Sequence, residues 1–324
     1  MGHLKTFIGG LVALVLSSAA PAMAEGGSFP ATVEHALGTT VVSADPQRIV
    51  TLGWSGEDAV LALGKVPVAM TNYSLFERGV FPWNEPKLGG QKPVLLAQGE
   101  VDFEQIAALK PDLILGVYSG VDDVAWKRLS SIAPTVVYRS GPWLANWREQ
   151  TEMTGAALGR PEEARRLIDG TNTFLRELGS KHPDLKGKTF AFGTYFAGSN
   201  GIVVYLPDDP RVEALVELGL KVPPGIEALG KSAPGDFSVS VSLEEISTID
   251  ADILVMWYGP GARAAAEAQP LFNTLGAVRH GSYVALEDPI DVWSTSALSV
   301  LSVPYGFPRF VPQLAQAAAR AGGK

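Results

Sequence analysis

The chain has 324 residues, a formal net charge of −8 and no cysteine. The absence of cysteine removes disulfides and thiolate chemistry. An acidic chain without a basic cluster argues against nucleic acid and anionic membranes as partners, and the length suffices for two lobes with separate cores.

The first residues read as an address. His3 and Lys5 make a weakly basic start, and Phe7 to Leu16 is apolar but too short to span a bilayer. Ala22-Met23-Ala24 then offers small residues for cleavage, so residues 1–24 are expected to be a secretory signal peptide. The mature chain starts at Glu25, and no later apolar run is long enough for membrane insertion. It is expected to be soluble in a periplasm, with no lipid-anchor cysteine.

Thr32 to Asp45 reads as a polar β-hairpin. Ile49 to Leu52 is a buried strand, Gly53-Trp54-Ser55-Gly56 a turn, Glu57 to Leu63 a helix ending at Gly64, and Pro67 to Met70 the next strand. Together they make a βαβ unit. Asn72 to Pro93 is a long loop carrying Tyr73, Phe76, Arg78, Phe81 and Trp83, and loops of this length in a compact lobe are often functional.

Val101 to Gly120, VDFEQIAALKPDLILGVYSG, follows, and it returns 140 positions later as VSLEEISTIDADILVMWYGP, Val241 to Pro260. Val101, Glu104, Ile106, Asp112 and Tyr118 meet Val241, Glu244, Ile246, Asp252 and Tyr258. Each copy begins with a short amphipathic helix behind a polar cap, Asp102 or Ser242, and an acid lies in its first turn. Each continues into an unbroken apolar run, the mark of a strand buried on both faces. Each strand leaves into a Tyr and a Gly, where open α/β sheets place ligands. The shared register favours duplication, with two similar lobes and one site between them.

Trp126 to Ile132 is a helix, Thr135 to Tyr138 a strand and Trp143 to Leu158 a helix. After the break at Gly159-Arg160, Pro161 to about Lys181 is one long amphipathic helix, roughly 30 Å in length. The second half repeats the pattern: strands at Thr189 to Tyr195 and Ile202 to Tyr205, a helix at Pro210 to Leu218, and a Gly/Pro-rich loop at Val222 to Phe237. The second copy comes next, then a short helix at Pro270 to Leu275 and a strand at Tyr283 to Leu286. Terminal helices over Ser296 to Ala321 are interrupted at Pro304 and Pro308. The expected fold is α/β: two similar lobes, each a mostly parallel sheet covered by helices, joined by one long helix. The boundaries are residues 25–160 for the first lobe, 161–186 for the bridge and its turn, and 187–324 for the second lobe.

Gly225 to Ser232 fits the phosphate-loop pattern GxxxxGKS, but Pro223-Pro224 before it and Ala233-Pro234-Gly235 after it deny the strand and helix that the mechanism requires. The mature chain's histidines, His35, His182 and His280, are widely spaced, so neither a bare metal site nor a Ser-His-Asp triad is expected, and no GxSxG elbow is present. The aromatic residues carry more. Trp54, Tyr73, Trp83, Tyr118, Tyr195, Trp257, Tyr258 and Trp293 mostly follow strands or lie in long loops, where rigid rings can line a cleft, while Trp126 and Trp147 lie within helices and are expected to pack. Arg78 and Arg139 lie in nearby loops and could donate to anionic oxygens, with a solvated surface role equally open.

RIVTLGWSGEDAVLALGKVPVAM, EQIAALKPDLIL, SLEEISTIDADILVM and ALSVLSVPYGFPRFVPQLA, together with the export signal, resemble periplasmic iron–siderophore binding proteins of ABC importers. The resemblance spans essentially the whole mature chain, within a group that also contains cobalamin and haem binders. It implies two lobes on a helical bridge, a shallow aromatic cleft, modest motion and no catalysis. It also implies no intrinsic cofactor, with iron(III) arriving inside the ligand, and a monomer that meets a membrane permease. Glu104 and Glu244 match the acids that dock permease arginines, although both would also complement helix N-termini. Tyr118 matches a ligand-facing tyrosine, Trp293 an aromatic before the terminal helix, and Phe237 is the nearest aromatic before the second copy. Scattered rather than clustered arginines lean toward hydroxamate or mixed siderophores over catecholates. A cobalamin or haem carrier is the alternative, and a secreted α/β hydrolase would need a nucleophile and base that the sequence does not show.

Overall fold

A computed structural model describes residues 28–321 together with Gly2; the expected signal peptide lies outside the described residues. A hairpin of β1 (Ala31–His35) and β2 (Gly38–Val42) opens the fold. The first lobe follows as β3 (Ile49–Thr51), α1 (Gly56–Ala62), β4 (Ala69–Thr71), β5 (Val94–Leu96), α2 (Phe103–Ala108), β6 (Leu113–Gly116), α3 (Asp123–Ser130) and β7 (Thr135–Val137). Its sheet is parallel throughout, in the order β5-β4-β3-β6-β7. The residues of β3, β4, β6 and β7 are all buried, which is why these strands read as unbroken apolar runs.

Two helices leave this lobe, α4 (Trp147–Ala157) and α5 (Pro161–Ser180). The expected helix from Trp143 begins four residues later, because Asn146 caps it by accepting from the Arg148 and Glu149 backbone N–H groups. Helix α5 feeds both cores. Ala164 belongs to the first core, Leu175 and Leu178 belong to the second, and Leu167 packs against both.

The second lobe runs β8 (Phe190–Thr194), β9 (Gly201–Tyr205), α6 (Pro210–Glu217), α7 (Pro224–Ser232) and β10 (Ser238–Ser242). A 3-10 helix (Leu243–Ile249), β11 (Ile253–Trp257), α8 (Ala262–Glu267), α9 (Gly276–His280), β12 (Tyr283–Leu286), α10 (Pro289–Ser296) and α11 (Ser302–Ala321) complete it. Its sheet has the order β10-β9-β8-β11-β12. The β8–β11 and β11–β12 pairs are parallel, and an antiparallel arm of β9 and β10 completes the sheet.

The duplicated segments occupy equivalent places. Strands β6 and β11 each lie between two parallel neighbours. Asp112 accepts from the Gln47 and Arg48 backbone N–H groups at 2.8 Å, just before β3 and β6 pair from Ile49 and Leu113. Asp252 accepts from the Thr189 backbone N–H at 2.8 Å, just before β8 and β11 pair from Phe190 and Ile253. The matched aspartates thus clamp the same first rung in both lobes. The helices differ. Ala107 and Ala108 sustain an α-helix in the first copy, whereas Ser247, Thr248 and Ile249, poorer helix formers, leave the second as a 3-10 helix.

Other elements also depart from expectation: the helix expected at Pro270 to Leu275 is a 3-10 turn over Phe272–Thr274. The Gly/Pro-rich stretch after Val222 forms α7, with Pro224 in its first turn where a missing N–H costs nothing; the GxxxxGKS match lies inside this helix rather than in a loop. The terminal helix is continuous through Pro308 and Pro312. Phe307, Phe310, Val311 and Leu314 bury its inner face, while Pro304 and Pro308 lie on the solvent side, so packing overrides the local helix-breaking tendency. Helix α10 lies close on α11 because Gly306 has no Cβ; one placed there would collide with the Ser294 side chain. This contact positions Trp293.

Candidate functional site

The site forms where strand ends of the two lobes face each other. Gly53 leaves β3 with φ of 82°, and a Cβ there would collide with the Tyr118 carbonyl oxygen. The close approach lets the Trp54 backbone N–H donate to that oxygen at 3.0 Å, fixing Trp54 above the end of β6. The Trp54 ring then lies edge-on to buried Tyr118 at 6.5 Å and tilted against Trp143 at 5.4 Å. Trp293, from α10 in the second lobe, closes on Trp54 at 5.0 Å.

The second lobe supplies a cation. Asp209 caps α6, its carboxylate accepting from the Arg211 backbone N–H at 2.8 Å and from the Arg211 guanidinium at 2.6 Å. Both side chains are buried, with exposures of 4% and 0% for Arg211 and Asp209. The guanidinium lies over the Tyr205 ring at 4.1 Å and reaches 6.0 Å from Trp54 across the gap. Trp257 donates from Nε1 to the Tyr205 hydroxyl at 2.7 Å, so Trp257, Tyr205 and Arg211 brace one another. Burial pushes the Asp209 carboxyl up, and the neighbouring guanidinium opposes it. Burial alone would lower Arg211, but the Asp209 carboxylate outweighs it and raises the guanidinium, keeping the cation charged. Burial also pushes the Tyr118 phenol well above its usual range, so it stays a neutral hydrogen-bonding group.

Two cavities meet here. One of about 460 Å³ lies between the lobes, walled by Trp54, Arg211, Trp257, Tyr258, Val292 and Trp293 among others. The other, about 690 Å³, extends over the first lobe past Gln98, Gly120 and Trp143. Trp54 and Gln98 line both, so the two form one bent cleft of a size suited to a small-molecule ligand. Among the described residues there is no cluster of three or more His, Cys, Asp or Glu able to hold a metal ion, and no helix is long and apolar enough to cross a membrane.

Of the residues singled out from sequence, Trp54, Trp257, Tyr258 and Trp293 line the inter-lobe cavity, and Tyr118 lies directly behind Trp54. Others are held elsewhere. Tyr73 and Trp83 are buried beneath the cleft: the Ser55 backbone N–H donates to the Tyr73 hydroxyl at 2.9 Å, and Trp83 donates from Nε1 to Asp58 at 2.8 Å. Buried Tyr195 donates to the Ser199 carbonyl at 2.8 Å, and Phe237 packs against the second lobe's core. Exposed Arg78 and Arg139 pair at 3.3 Å with Glu85 and Glu152. Glu104 and Glu244 are exposed in the first turns of their helices, one in each lobe.

Three cleft residues escape the sequence reading: Gln98, Trp143 and Arg211. Trp143 lies ahead of α4 with φ of 59°, not within a helix. Arg211 had a usable signal. A cation in the first turn of a helix opposes the helix dipole, so its placement calls for another reason.

A family model described as periplasmic binding protein matches residues 49–289. The probable siderophore-binding lipoprotein YfiY of Bacillus subtilis (strain 168) is 30% identical over 278 residues, 82% of each chain. The Fe(3+) dicitrate-binding periplasmic protein FecB of Escherichia coli (strain K12) is 28% identical over 233 residues, 71% of this chain and 73% of its own. Among solved structures, PiaA of Streptococcus pneumoniae TIGR4 in complex with ferrichrome superposes with a TM-score of 0.81 at 30% identity, covering 89% of this chain and 99% of PiaA. A family model that matches most of the chain, with a relative 30% identical over 82% of each chain, establishes that this chain belongs to the periplasmic binding protein family.

Proposed function

We propose that this protein captures a ferric siderophore, of hydroxamate or mixed type, in the cleft between its lobes and delivers it to the membrane permease of an ABC importer. The observation that carries the reading is the cleft wall itself. Four aromatic side chains (Trp54, Trp257, Tyr258 and Trp293) and one buried arginine line a cavity between two sheets. Rings suit the apolar faces of a chelate, and Arg211 suits its exposed oxygens. The likeness to PiaA, solved with ferrichrome, supports the hydroxamate class. Iron enters inside the chelate, so the protein reads ligand oxygens and shape and carries out no chemistry on the metal.

The reading divides the chain into lobes of residues 25–160 and 187–324 around a bridge of residues 161–186. Export through residues 1–24 delivers it to the periplasm, where it acts as a monomer. Glu104 and Glu244 dock the two lobes on the permease, one charge per lobe fixing the orientation.

The test is a titration of the mature protein with ferric hydroxamate, catecholate and citrate chelates, and with cyanocobalamin and haem. Tryptophans in the wall make binding visible as saturable fluorescence quenching, with a Kd on the order of micromolar or tighter for a ferric hydroxamate. Saturable quenching by cyanocobalamin or haem alone would replace the siderophore reading with the other carriers.

A further inference from the structure

Among the described residues, the one cation lining the cleft is already neutralised from behind, and this bears on which chelates fit. Among the described residues, five charged side chains line the two cavities: Glu100, Asp102, Asp122 and Glu287 are acidic, and Arg211 alone is basic. Glu287 is balanced by Arg263 at 2.8 Å. Asp102 and Asp122 cap α2 and α3, accepting from the Gln105 and Ala125 backbone N–H groups at 2.9 and 2.8 Å, so helix N-termini partly offset them. Arg211 is locked to Asp209 by two contacts, of the guanidinium at 2.6 Å and of the backbone N–H at 2.8 Å. Seen from the cavity, the pair presents a dipole with its positive end outward, not a free positive charge. The guanidinium still has donors to give: its Nε is buried and has no hydrogen-bond partner among the described residues.

We infer that Asp209 is a specificity-determining residue: by masking Arg211 it sets the cleft to accept uncharged or cationic ferric chelates and to reject anionic ones. The inference rests on the siderophore reading above and narrows it by ligand charge. Three hydroxamates, each carrying one negative charge, neutralise iron(III). Three catecholates, each carrying two, leave a trianion. A neutral chelate entering this cleft needs only hydrogen-bond donors for its outward oxygens, and Arg211, which lines the cavity, is such a donor. A trianion would shed its hydration in a space where the described residues supply no unbalanced cation and where Glu100 lies in the lining, which removes solvation without replacing it. Asp209 acts through Arg211 and does not line the cleft, so its effect should show in the order of affinities among chelates of different charge.

The experiment measures Kd by fluorescence quenching for ferrichrome (neutral), ferric desferrioxamine B (cationic) and a ferric tris-catecholate (trianionic), in wild type and in Asp209→Asn, at low and high salt. Asn keeps the helix cap and removes the masking charge. In the wild type the neutral and cationic chelates should bind at least about a hundredfold tighter than the trianion, and ferrichrome binding should change less than about twofold with salt. In Asp209→Asn, affinity for the trianion relative to ferrichrome should rise by about tenfold or more, and trianion binding should become salt-sensitive. A wild type that binds the trianion as tightly as ferrichrome overturns the inference whether or not the variant folds. So does a variant with an unchanged ratio of affinities. Failure of every ferric chelate to bind would instead overturn the siderophore reading itself.

Discussion

Replacing Arg211 by Met strands the acid that holds it. Asp209 is 0% exposed. Its carboxylate loses the guanidinium contact at 2.6 Å but keeps the backbone N–H of residue 211, so the cap of α6 survives. Met fills much of the arginine's apolar stem, which limits the cavity left behind. Breaking a buried ion pair by removing one partner costs about 3–5 kcal/mol. Loss of the stack on Tyr205 at 4.1 Å adds about 0.5–2 kcal/mol. Asp209→Asn removes the stranded charge, so the double variant should regain most of the loss and unfold within about 2 kcal/mol of wild type.

Urea unfolding followed by circular dichroism, at about pH 5 and pH 8, reads all four proteins of the cycle. The pH arm has a definite sign. Without its partner, buried Asp209 has a folded pKa above its unfolded value, so the folded chain keeps a proton that the unfolded chain releases. Stability is then full below the unfolded pKa and is lost as pH rises through the folded one. The deficit of Arg211→Met should therefore be larger at pH 8 than at pH 5. A single variant within about 1 kcal/mol of wild type at pH 8, or a double variant no more stable than the single, would refute the account of the pair as a buried charge couple.

Three further outcomes are expected. Trp293→Ala should weaken ferrichrome binding by about 1–3 kcal/mol, measured by calorimetry because the variant also removes a fluorophore, whereas Tyr305→Ala, exposed and outside the cleft lining, should leave it unchanged. Glu104→Ala combined with Glu244→Ala should abolish uptake in cells while the affinity of the purified protein stays at the wild-type value; normal uptake would remove both residues from the permease contact. The buried acids of α1 make stability fall with rising pH: burial, then the Asp58 charge, pushes Glu57 well above its usual range, and burial pushes Asp58 up to about 6. Because the folded chain keeps protons that the unfolded chain gives up, stability should drop as pH rises from about 4 through 6, by about 3 kcal/mol for Asp58. Glu57→Gln should flatten the curve, and a wild type more stable at pH 8 than at pH 5 would contradict the assignment.

Much of the architecture was legible because it rests on local period and spacing. Unbroken apolar runs such as Leu113-Ile114-Leu115 and Ile253-Leu254-Val255 specify strands covered on both faces, wherever the rest of the chain goes. The register between the copies carried over to equivalent strands, down to Asp112 and Asp252 on the same rung. Helix α5 was legible from its amphipathic spacing and its first-turn proline. Local rules failed where packing supplied the free energy, as in α7 and in the passage of α11 through Pro308 and Pro312.

The site divides along the same line. Sequence placed aromatic residues after strands, and this suffices to bring Trp54, Tyr118, Trp257 and Tyr258 to the lobe faces. It could not separate them from Tyr73 and Trp83, which have the same composition and similar settings. Those two turn inward because α1 buries Glu57 and Asp58 beneath the cleft, where Trp83, Asn84 and Ser299 donate to Asp58. Ser299 comes from the other lobe, 241 residues away in the chain. Nor could sequence find Arg211, whose partners Tyr118 and Trp54 belong to the opposite lobe. A hydrophobic period reports what a residue needs from its immediate surroundings. Which buried charge meets which ring depends on how two separately folded sheets are held against each other, and only the tertiary structure decides that.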